Sequence, residues 1–334
     1  VLVALGLPVL ARRGAEDSAV SRAESEQNRG TVCLILRKLG GFEVKKGINQ
    51  WSFPSSYTVE ECVRLASAAG FDGIELCLSE TGELSLDSST QDISRIAQTA
   101  RQAGIEIPSL ATGLYWKYSP TASDPSVRSK AQEIARKQLE FASLLGADTI
   151  LYVPGAVNVP WDPGSEIVDY ETAYGRAKES LLCLVEHAER AGVTIAVENV
   201  WNKFLLSPLE MRAFIDEVNH PRVGSYMDVG NVLISGYPEQ WIRILGPRIR
   251  KVHVKDFKLE IGNIQGFTNL LHGDVNWPGV ISALTDVGYD GYLIAEIMPP
   301  YRYYAEKMIY DISSSLDRIM AKGPATSHRT HAEK

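Results

Sequence analysis

Short apolar runs rich in Ile, Val and Leu alternate with longer amphipathic segments from Lys45 onward. Eight of these runs have the length and β-branched content of strands, and their continuous apolar interiors are typical of parallel strands covered on both faces. In chain order the predicted strands are KKGINQW, FDGIELCL, IEIPSLAT, DTILYVPG, TIAVENV, VGSYMDVGN, IRKVHVKDF and YLIAEI.

The segments between these runs carry helix signals at their ends. Thr58 and Glu61 have the spacing of a capping box at the start of the first helix. Ala-Gly followed by Phe, Ile or Val recurs at Gly70, Gly104 and Gly192, as expected where a helix turns directly into a strand. The predicted helices are TVEECVRLASAAG, DISRIAQTARQAG, SVRSKAQEIARKQLEFASLLG, YETAYGRAKESLLCLVEHAERAG, SPLEMRAFIDEVN, PEQWIRILG, WPGVISALTDVG and YRYYAEKMIYDISSSLDRIM.

Eight strands that alternate with eight helices predict an α/β fold of the (β/α)8 TIM-barrel type, spanning residues 45–320 as a single catalytic domain. A doubly wound open sheet would not explain why the count is eight. In a TIM barrel the active site lies at the C-terminal ends of the strands, so polar residues at those ends are the candidates for chemistry.

The two termini differ from the rest of the chain. Residues 1–44 begin with the apolar run VLVALGLPVL, followed by Arg12 and Arg13 and a polar, charged stretch. Because the basic residues follow the apolar run and no clear cleavage site is present, a disordered or cloning-derived extension is favoured over a signal remnant. Residues 321–334 are predicted to be a polar tail.

The composition of the chain disfavours several classes of partner and location. The 334 residues include 34 Lys and Arg against 41 Asp and Glu, a net charge of −7 that disfavours nucleic acid as a partner. No apolar run reaches the roughly 18 residues that a membrane span requires, so a soluble, cytoplasmic protein is predicted, exported only if residues 1–44 hold a signal remnant. The four cysteines lack C-x-x-C spacing and are predicted to be reduced and mostly buried.

Four metal-competent side chains end the last four predicted strands: Glu198, Asp228, His253 and Glu296. Each alone is more typical of a salt bridge or a helix cap than of a ligand. Together they form an oxygen-rich set suited to Mn²⁺, Mg²⁺ or Co²⁺, and less naturally to Zn²⁺. The pattern therefore predicts one divalent-metal site on the barrel rim.

Four short motifs contain these residues: V-E-N at 197–199, M-D-V-G-N at 227–231, H-V-K-D at 253–256 and A-E-I at 295–297. With these motifs the chain, from Lys45 to Met320, resembles the sugar-phosphate isomerase/epimerase family of xylose-isomerase-like TIM barrels, which includes D-tagatose/D-psicose 3-epimerases and L-ribulose-5-phosphate 3-epimerases. The resemblance implies that the four side chains hold one metal, with Mn²⁺ favoured, and that Glu198 and Glu296 also act as the acid/base pair. It also implies a homodimer or homotetramer.

Two departures bear on the substrate. Asn231 stands where the tagatose-type epimerases carry His, and Phe204 stands where they carry a carboxylate. The segment 198–207 and the D-V-G-N motif look more like the sugar-phosphate branch. There Lys203, Ser207 or Lys255 could meet a phosphate or hydroxyl group, although each is more typical of an ordinary loop or cap residue.

Further candidate substrate contacts are taken from the strand ends and the loops that follow them. Trp51 and Trp116 could stack on the C–H face of a sugar, and Glu75 could contact the substrate or orient a ligand. The full set of predicted substrate contacts is Trp51, Glu75, Trp116, Asn231 and Lys255. The remaining histidines of the barrel region are interpreted as solvated or structural: His187, His220 and His272.

These residues predict a sugar or sugar-phosphate epimerase or isomerase that works through a metal-stabilised enediolate, with a ketose 3-epimerase favoured. Inversion next to a ketone requires two bases on opposite faces of the carbon, whereas aldose–ketose isomerisation requires one, so the ligand set alone does not separate the two. A lyase, either inosose dehydratase-like or C-glycoside-cleaving, is the alternative. A non-catalytic sugar-binding barrel is less favoured because the acid/base pair is intact. An apurinic-site-type endonuclease is less favoured because strands one to four end without histidines and the chain is acidic.

Overall fold

The computed structural model describes residues 44–321. The predictions for the N-terminal extension and the C-terminal tail, together with that for Cys33, lie outside these residues. Among the described helices, none has the length and apolar character to cross a membrane.

Eight parallel strands form a closed barrel in which each strand pairs with its neighbours in sequence and the last pairs with the first. The predicted TIM-barrel fold is therefore confirmed. The strands are β1 (Lys45–Asn49), β2 (Gly73–Leu78), β3 (Ser109–Thr112), β4 (Thr149–Tyr152), β5 (Thr194–Glu198), β6 (Val223–Asp228), β7 (Ile249–Val254) and β8 (Tyr292–Ala295).

A helix follows each strand and lies outside the barrel. These helices are α1 (Val59–Ala68), α2 (Thr90–Gln102), α3 (Pro125–Leu145), α4 (Tyr170–Ala191), α5 (Pro208–Val218), α6 (Pro238–Leu245), α7 (Trp277–Asp286) and α8 (Ala305–Ala321). All eight have side chains buried in the hydrophobic core, as the amphipathic pattern predicts.

Local signals in the sequence set where several helices begin and end. Thr58 accepts a hydrogen bond from the Glu61 amide, and the Glu61 carboxylate accepts one from the Thr58 amide, so the predicted capping box is present. Gly70, Gly104 and Gly192 have positive φ angles at the turns into the next strands, a conformation that glycine adopts without a steric penalty.

Six of the eight strands end two or three residues before the predicted segments do, and the sixth and seventh show the physical reason. In the sixth, β6 stops at Asp228, whose carboxylate accepts a hydrogen bond from the Asn231 amide and caps a single helical turn, Val229–Val232. In the seventh, β7 stops at Val254, and Asp256–Phe257 instead pairs antiparallel with Phe267–Thr268 as a ribbon beside the barrel mouth. The apolar pattern continues through both ends because these segments stay buried after leaving the barrel.

The cysteine prediction is confirmed for the three described thiols, which are free and mostly buried. Cys62 and Cys77 are buried and free, whereas Cys183 is free but exposed on α4. Burial raises the pKa of the Cys62 thiol to about 12, so this side chain is unreactive as a nucleophile.

Candidate active site

The four predicted ligand residues converge at the C-terminal end of the barrel. One potential ligand atom from each of Glu198, Asp228, His253 and Glu296 lies within 4.8 Å of the others, and all four residues are buried. Strand register explains the convergence for one pair, because Asp228 on β6 lies directly opposite His253 on β7. Glu198 ends β5, and Glu296 follows the last residue of β8.

Glu75 on β2 lies beneath this cluster and fixes the imidazole of His253. Its Oε1 lies 2.6 Å from His253 Nε2 and accepts a hydrogen bond from Asn49 Nδ2 at 2.7 Å. Its Oε2 accepts hydrogen bonds from the hydroxyl groups of Ser109 and Tyr226, each at 2.6 Å. An ionised, fully buried Glu75 only accepts, so Nε2 carries the proton that binds it. This is the ligand-orienting arrangement of a carboxylate behind a metal-binding histidine.

The opposite nitrogen of the same ring faces the other three candidate ligands. His253 Nδ1 lies 3.2 Å from Glu198 Oε1, 3.7 Å from Glu296 Oε2 and 3.9 Å from Asp228 Oδ2. A neutral imidazole with its proton on Nε2 has a lone pair on Nδ1. Nδ1 is therefore the atom of His253 that could bind a cation held between the carboxylates.

Asn199 and Asn231 hold the strand ends of β5 and β6 together. The Asn199 side chain accepts a hydrogen bond from the Asp228 amide and donates one to the Asp228 carbonyl, both at 2.9 Å. Asn231 donates from its side chain to the Asn199 carbonyl at 3.0 Å. The sequence analysis did not single out Asn199, although it is the last residue of the V-E-N motif. Its role depends on a partner strand that the motif does not reveal.

Lys255 brings a positive charge into the cluster. Its ammonium group donates a hydrogen bond to Glu296 and lies 2.9 Å from Asp228 Oδ2, with its side chain only 12% exposed. The Asp228 oxygen receives no well-oriented hydrogen bond from it or from any other described group. A β-carbon at position 230 would lie 2.5 Å from Lys255 Cγ, so the glycine of D-V-G-N leaves the space that the Lys255 side chain occupies.

Burial and mutual repulsion shift the protonation equilibria of the cluster. Burial, with Glu296 and Asp228 nearby, raises the pKa of Glu198 to about 7 despite the opposing effect of His253. Burial also raises the pKa of Asp228, although Lys255 opposes it. Burial by itself lowers the pKa of His253, but the neighbouring carboxylates of Glu75 and Glu296 raise it overall. The cluster therefore has excess negative charge that a bound cation would reduce.

The residues present fit a divalent cation. Three carboxylates and one imidazole nitrogen are buried within reach of a single point, and the Asp228 oxygen that lacks a well-oriented hydrogen bond faces that point. Hard oxygen donors of this kind suit Mn²⁺, Mg²⁺ and Co²⁺. Whether the four side chains bind a metal is still a prediction.

A cavity of about 600 Å³ opens above the cluster at the barrel mouth. Glu198 and Glu296 lie at its floor together with Lys255 and Asn231. Two of the predicted substrate contacts, Trp51 and Trp116, also line the cavity, each from a short 3-10 turn that follows a strand. Glu75 does not line it. Three aromatic residues that the sequence analysis missed do so: Trp161, Trp201 and Phe267.

The other singled-out residues lie away from the cavity. Ser207 is the N-cap of α5, Phe204 is buried against Tyr170, and Lys203 is exposed. None of them lines the cavity, and neither do the three remaining described histidines, His187, His220 and His272.

Comparison with known proteins agrees with this fold. The family model described as xylose isomerase-like TIM barrel matches residues 63–310. The L-ribulose-5-phosphate 3-epimerase UlaE of Salmonella paratyphi C is 24% identical over 293 residues, covering 84% of this chain and 95% of that protein.

Two similar solved structures are also epimerases. The crystal structure of D-psicose 3-epimerase in the presence of D-fructose has a TM-score of 0.70 at 19% identity, covering 84% of this chain and 100% of that one. That of L-ribulose 3-epimerase has a TM-score of 0.68 at 19% identity, covering 83% and 94%. These relatives belong to the isomerase class of enzymes. On the family match and the barrel itself, the chain belongs to the xylose isomerase-like TIM barrel family.

Proposed function

We propose that the protein is a divalent-metal-dependent epimerase of a sugar or sugar phosphate, with inversion at carbon 3 of a ketose as the favoured reaction. The observation that carries this proposal is the buried cluster of three carboxylates and one imidazole at the floor of a cavity. It is supported by relatives that are named as sugar epimerases. Residues 45–320 form the catalytic domain in this proposal.

The proposed ligands are one oxygen from each carboxylate and Nδ1 of the imidazole: Glu198, Asp228, His253 and Glu296. Mn²⁺ is favoured because the donors are mostly hard oxygens while one is an imidazole, a mixture that suits Mn²⁺ better than Mg²⁺. When bound, the cation would polarise the substrate carbonyl and neutralise the charge that develops on its oxygens. Glu75 keeps the proton of the imidazole on Nε2.

Glu198 and Glu296 are the proposed acid/base pair. Both carboxylates line the cavity, so each has access to a bound sugar. One takes the proton from the carbon next to the ketone, and the other returns a proton to the opposite face of the planar enediolate, which inverts the centre. Both carboxylates are buried, and burial raises the pKa of Glu198 to about 7, which makes this carboxylate a stronger base.

The remaining contacts hold the sugar. Lys255 and Asn231 line the cavity floor and are proposed to bind substrate oxygens, while Trp51 and Trp116 pack against the C–H faces. Glu75 acts through His253 and is a positioning residue. Assembly as a homodimer or homotetramer remains a prediction from the family resemblance.

Hydrogen–deuterium exchange tests the proposed reaction. The protein with Mn²⁺ is incubated in D₂O with free and phosphorylated ketoses, and NMR identifies the carbon that gains deuterium. Exchange at carbon 3 with appearance of the epimer is the expected result. Exchange with transfer of the carbonyl to carbon 1 would identify an isomerase, and loss of a β-substituent would identify a lyase. Absence of exchange on every sugar would contradict the proposal.

Glu75→Gln is expected to weaken Mn²⁺ binding about 10- to 100-fold. The neutral amide cannot accept the same hydrogen bonds as the carboxylate. It also cannot stabilise the imidazole of His253 when the Nδ1 lone pair binds the cation. Isothermal titration calorimetry on the folded variant measures this affinity. Glu80→Gln is the matched control, since Glu80 is an exposed carboxylate paired with Lys117. Unchanged affinity in a folded Glu75→Gln variant would contradict the positioning role.

A further inference from the structure

The cavity has few groups that could bind a phosphate. Of the described residues that line it, Lys255 is the one that carries a positive charge, and its ammonium group is already paired with Glu296 and Asp228. Phosphate sites usually combine several cationic side chains or free backbone amides. The helical turn after β6 offers no free N-terminus either, because the Asn231 amide donates to Asp228 Oδ1 at 2.7 Å.

Charge also disfavours a phosphorylated ligand. Three carboxylates face the candidate metal position and a fourth, Glu75, lies behind the imidazole of His253, against one lysine and one divalent cation. The site therefore keeps a net negative charge even when the cation is bound. This charge would repel a phosphate dianion in the cavity unless a cationic group were present to bind it.

The walls above the floor are aromatic. Trp116 and Trp161 meet edge to face with ring centroids 4.8 Å apart and an interplanar angle of 72°. On another side, Trp201 packs against Phe267 at 5.0 Å and 39°. The Trp201 indole nitrogen donates to the Asn231 carbonyl at 2.9 Å, which fixes the ring next to the floor. These walls present apolar surface where a sugar phosphate would place its most polar group.

The rim of the cavity is apolar as well. Trp161, Ile264 and Met298 line the mouth and are 41%, 42% and 47% exposed. Large apolar side chains grouped around an open cavity are stabilised when a ligand covers them. A small free ketose bound at the floor would leave this rim in water, whereas a ligand with an apolar extension would cover it.

We propose that the substrate is an unphosphorylated keto sugar that carries an apolar, aromatic substituent. This inference rests on the proposed function, which puts the sugar ring at Glu198 and Glu296. The substituent then lies between the Trp116–Trp161 pair and the rim. If the substituent is attached as a glycoside, the anomeric carbon is blocked and cannot be the ketone. The ketone then lies on another carbon of the ring, and the proton is removed from a carbon beside it.

Paired ligands test the inference by calorimetry on the Mn²⁺-loaded protein. The set consists of D-fructose and D-psicose, each free, with a terminal phosphate, and with a methyl or a phenyl ether at the terminal carbon, together with the methyl and phenyl glycosides of 3-keto-D-glucose. Phenyl members are expected to bind about tenfold or more tightly than their methyl partners, since an aromatic ring leaves water. Phosphorylated members are expected to bind more weakly than the free sugars.

Two variants test whether Trp161 causes the tighter binding of the phenyl members. Trp161→Ala is expected to remove most of the phenyl-over-methyl ratio, and Trp161→Phe is expected to retain it because a ring is still present. A phosphorylated member that binds best, or a ratio near one in the wild-type protein, would overturn the inference. Deuterium exchange on a phosphorylated ketose alone would overturn it while supporting the proposed epimerase chemistry. Absence of exchange on all members would contradict only the proposed function, since the binding ratio is measured without turnover.

Discussion

Glu198→Gln and Glu296→Gln are each expected to lower the rate of epimerisation by on the order of 10²–10⁴-fold, the usual contribution of a general acid or base. Both side chains are buried at the cavity floor, so no described carboxylate outside the cluster is available to replace either one. Initial rates on the substrate identified by deuterium exchange measure the loss. Because both residues are also proposed ligands, the Mn²⁺ content of each variant is measured in parallel.

Isotope exchange separates an acid/base role from a purely ligating one. In a two-base reaction the hydrogen of each epimer faces a different glutamate, so a variant with one base left should exchange the hydrogen of one epimer without inverting it. Glu198→Gln and Glu296→Gln are expected to exchange opposite epimers. If both variants exchange the same epimer, or if a metal-loaded variant epimerises at the wild-type rate, the two-base assignment is wrong.

Removal of the metal by a chelator is expected to abolish turnover and leave the barrel folded. The hydrophobic core is formed by the strands and surrounding helices and does not depend on the cluster. Lys255 also neutralises part of the charge on Asp228 and Glu296, so these buried carboxylates are not left without a cation. Circular dichroism and thermal melting measure the fold, and readdition of Mn²⁺ restores the activity. A chelated protein with full activity would contradict the metal mechanism.

Lys255→Met provides a matched variant for this experiment. Without the ammonium group, the metal-free protein is expected to melt below the metal-free wild type because the buried carboxylates lose their charge partner. Saturating Mn²⁺ should then raise the melting temperature of the variant more than that of the wild type. An equal Mn²⁺-induced shift in the two proteins would show that Lys255 does not act as the charge partner of the cluster.

The ligand candidates were accessible from sequence because each ends or closely follows a strand of recognisable pattern. His253 and Asp228 follow apolar runs, and the barrel rule puts such ends on one rim. Glu75 was also noted on its strand, but its hydrogen bond to His253 joins residues 178 positions apart. No periodicity of a single segment reports a contact of that range, so the sequence left open whether Glu75 contacts the substrate or orients a ligand. Only the tertiary structure shows that its partner is His253.

The cavity walls were the least predictable part of the site. Trp161 and Trp201 lie in irregular loops, and Phe267 lies in a two-residue ribbon strand, so no repeating pattern marks them.

Phe204 is the opposite case, because the sequence pointed to it but it does not line the cavity. It was singled out from the family motif, yet it is 2% exposed and packs against Tyr170, Tyr174 and Phe214. Position relative to a motif does not report which way a loop side chain points.

The sequence by itself determined the barrel and the four candidate ligands, because alternating apolar periods and strand-end positions are local properties of the chain. Only the tertiary structure decided which groups surround those ligands. Glu75 meets His253 and Lys255 meets Asp228 because the closed sheet brings distant strands to one end. The aromatic character of the cavity likewise results from loops that converge over the barrel mouth, and their contacts depend on long-range packing rather than on local propensity.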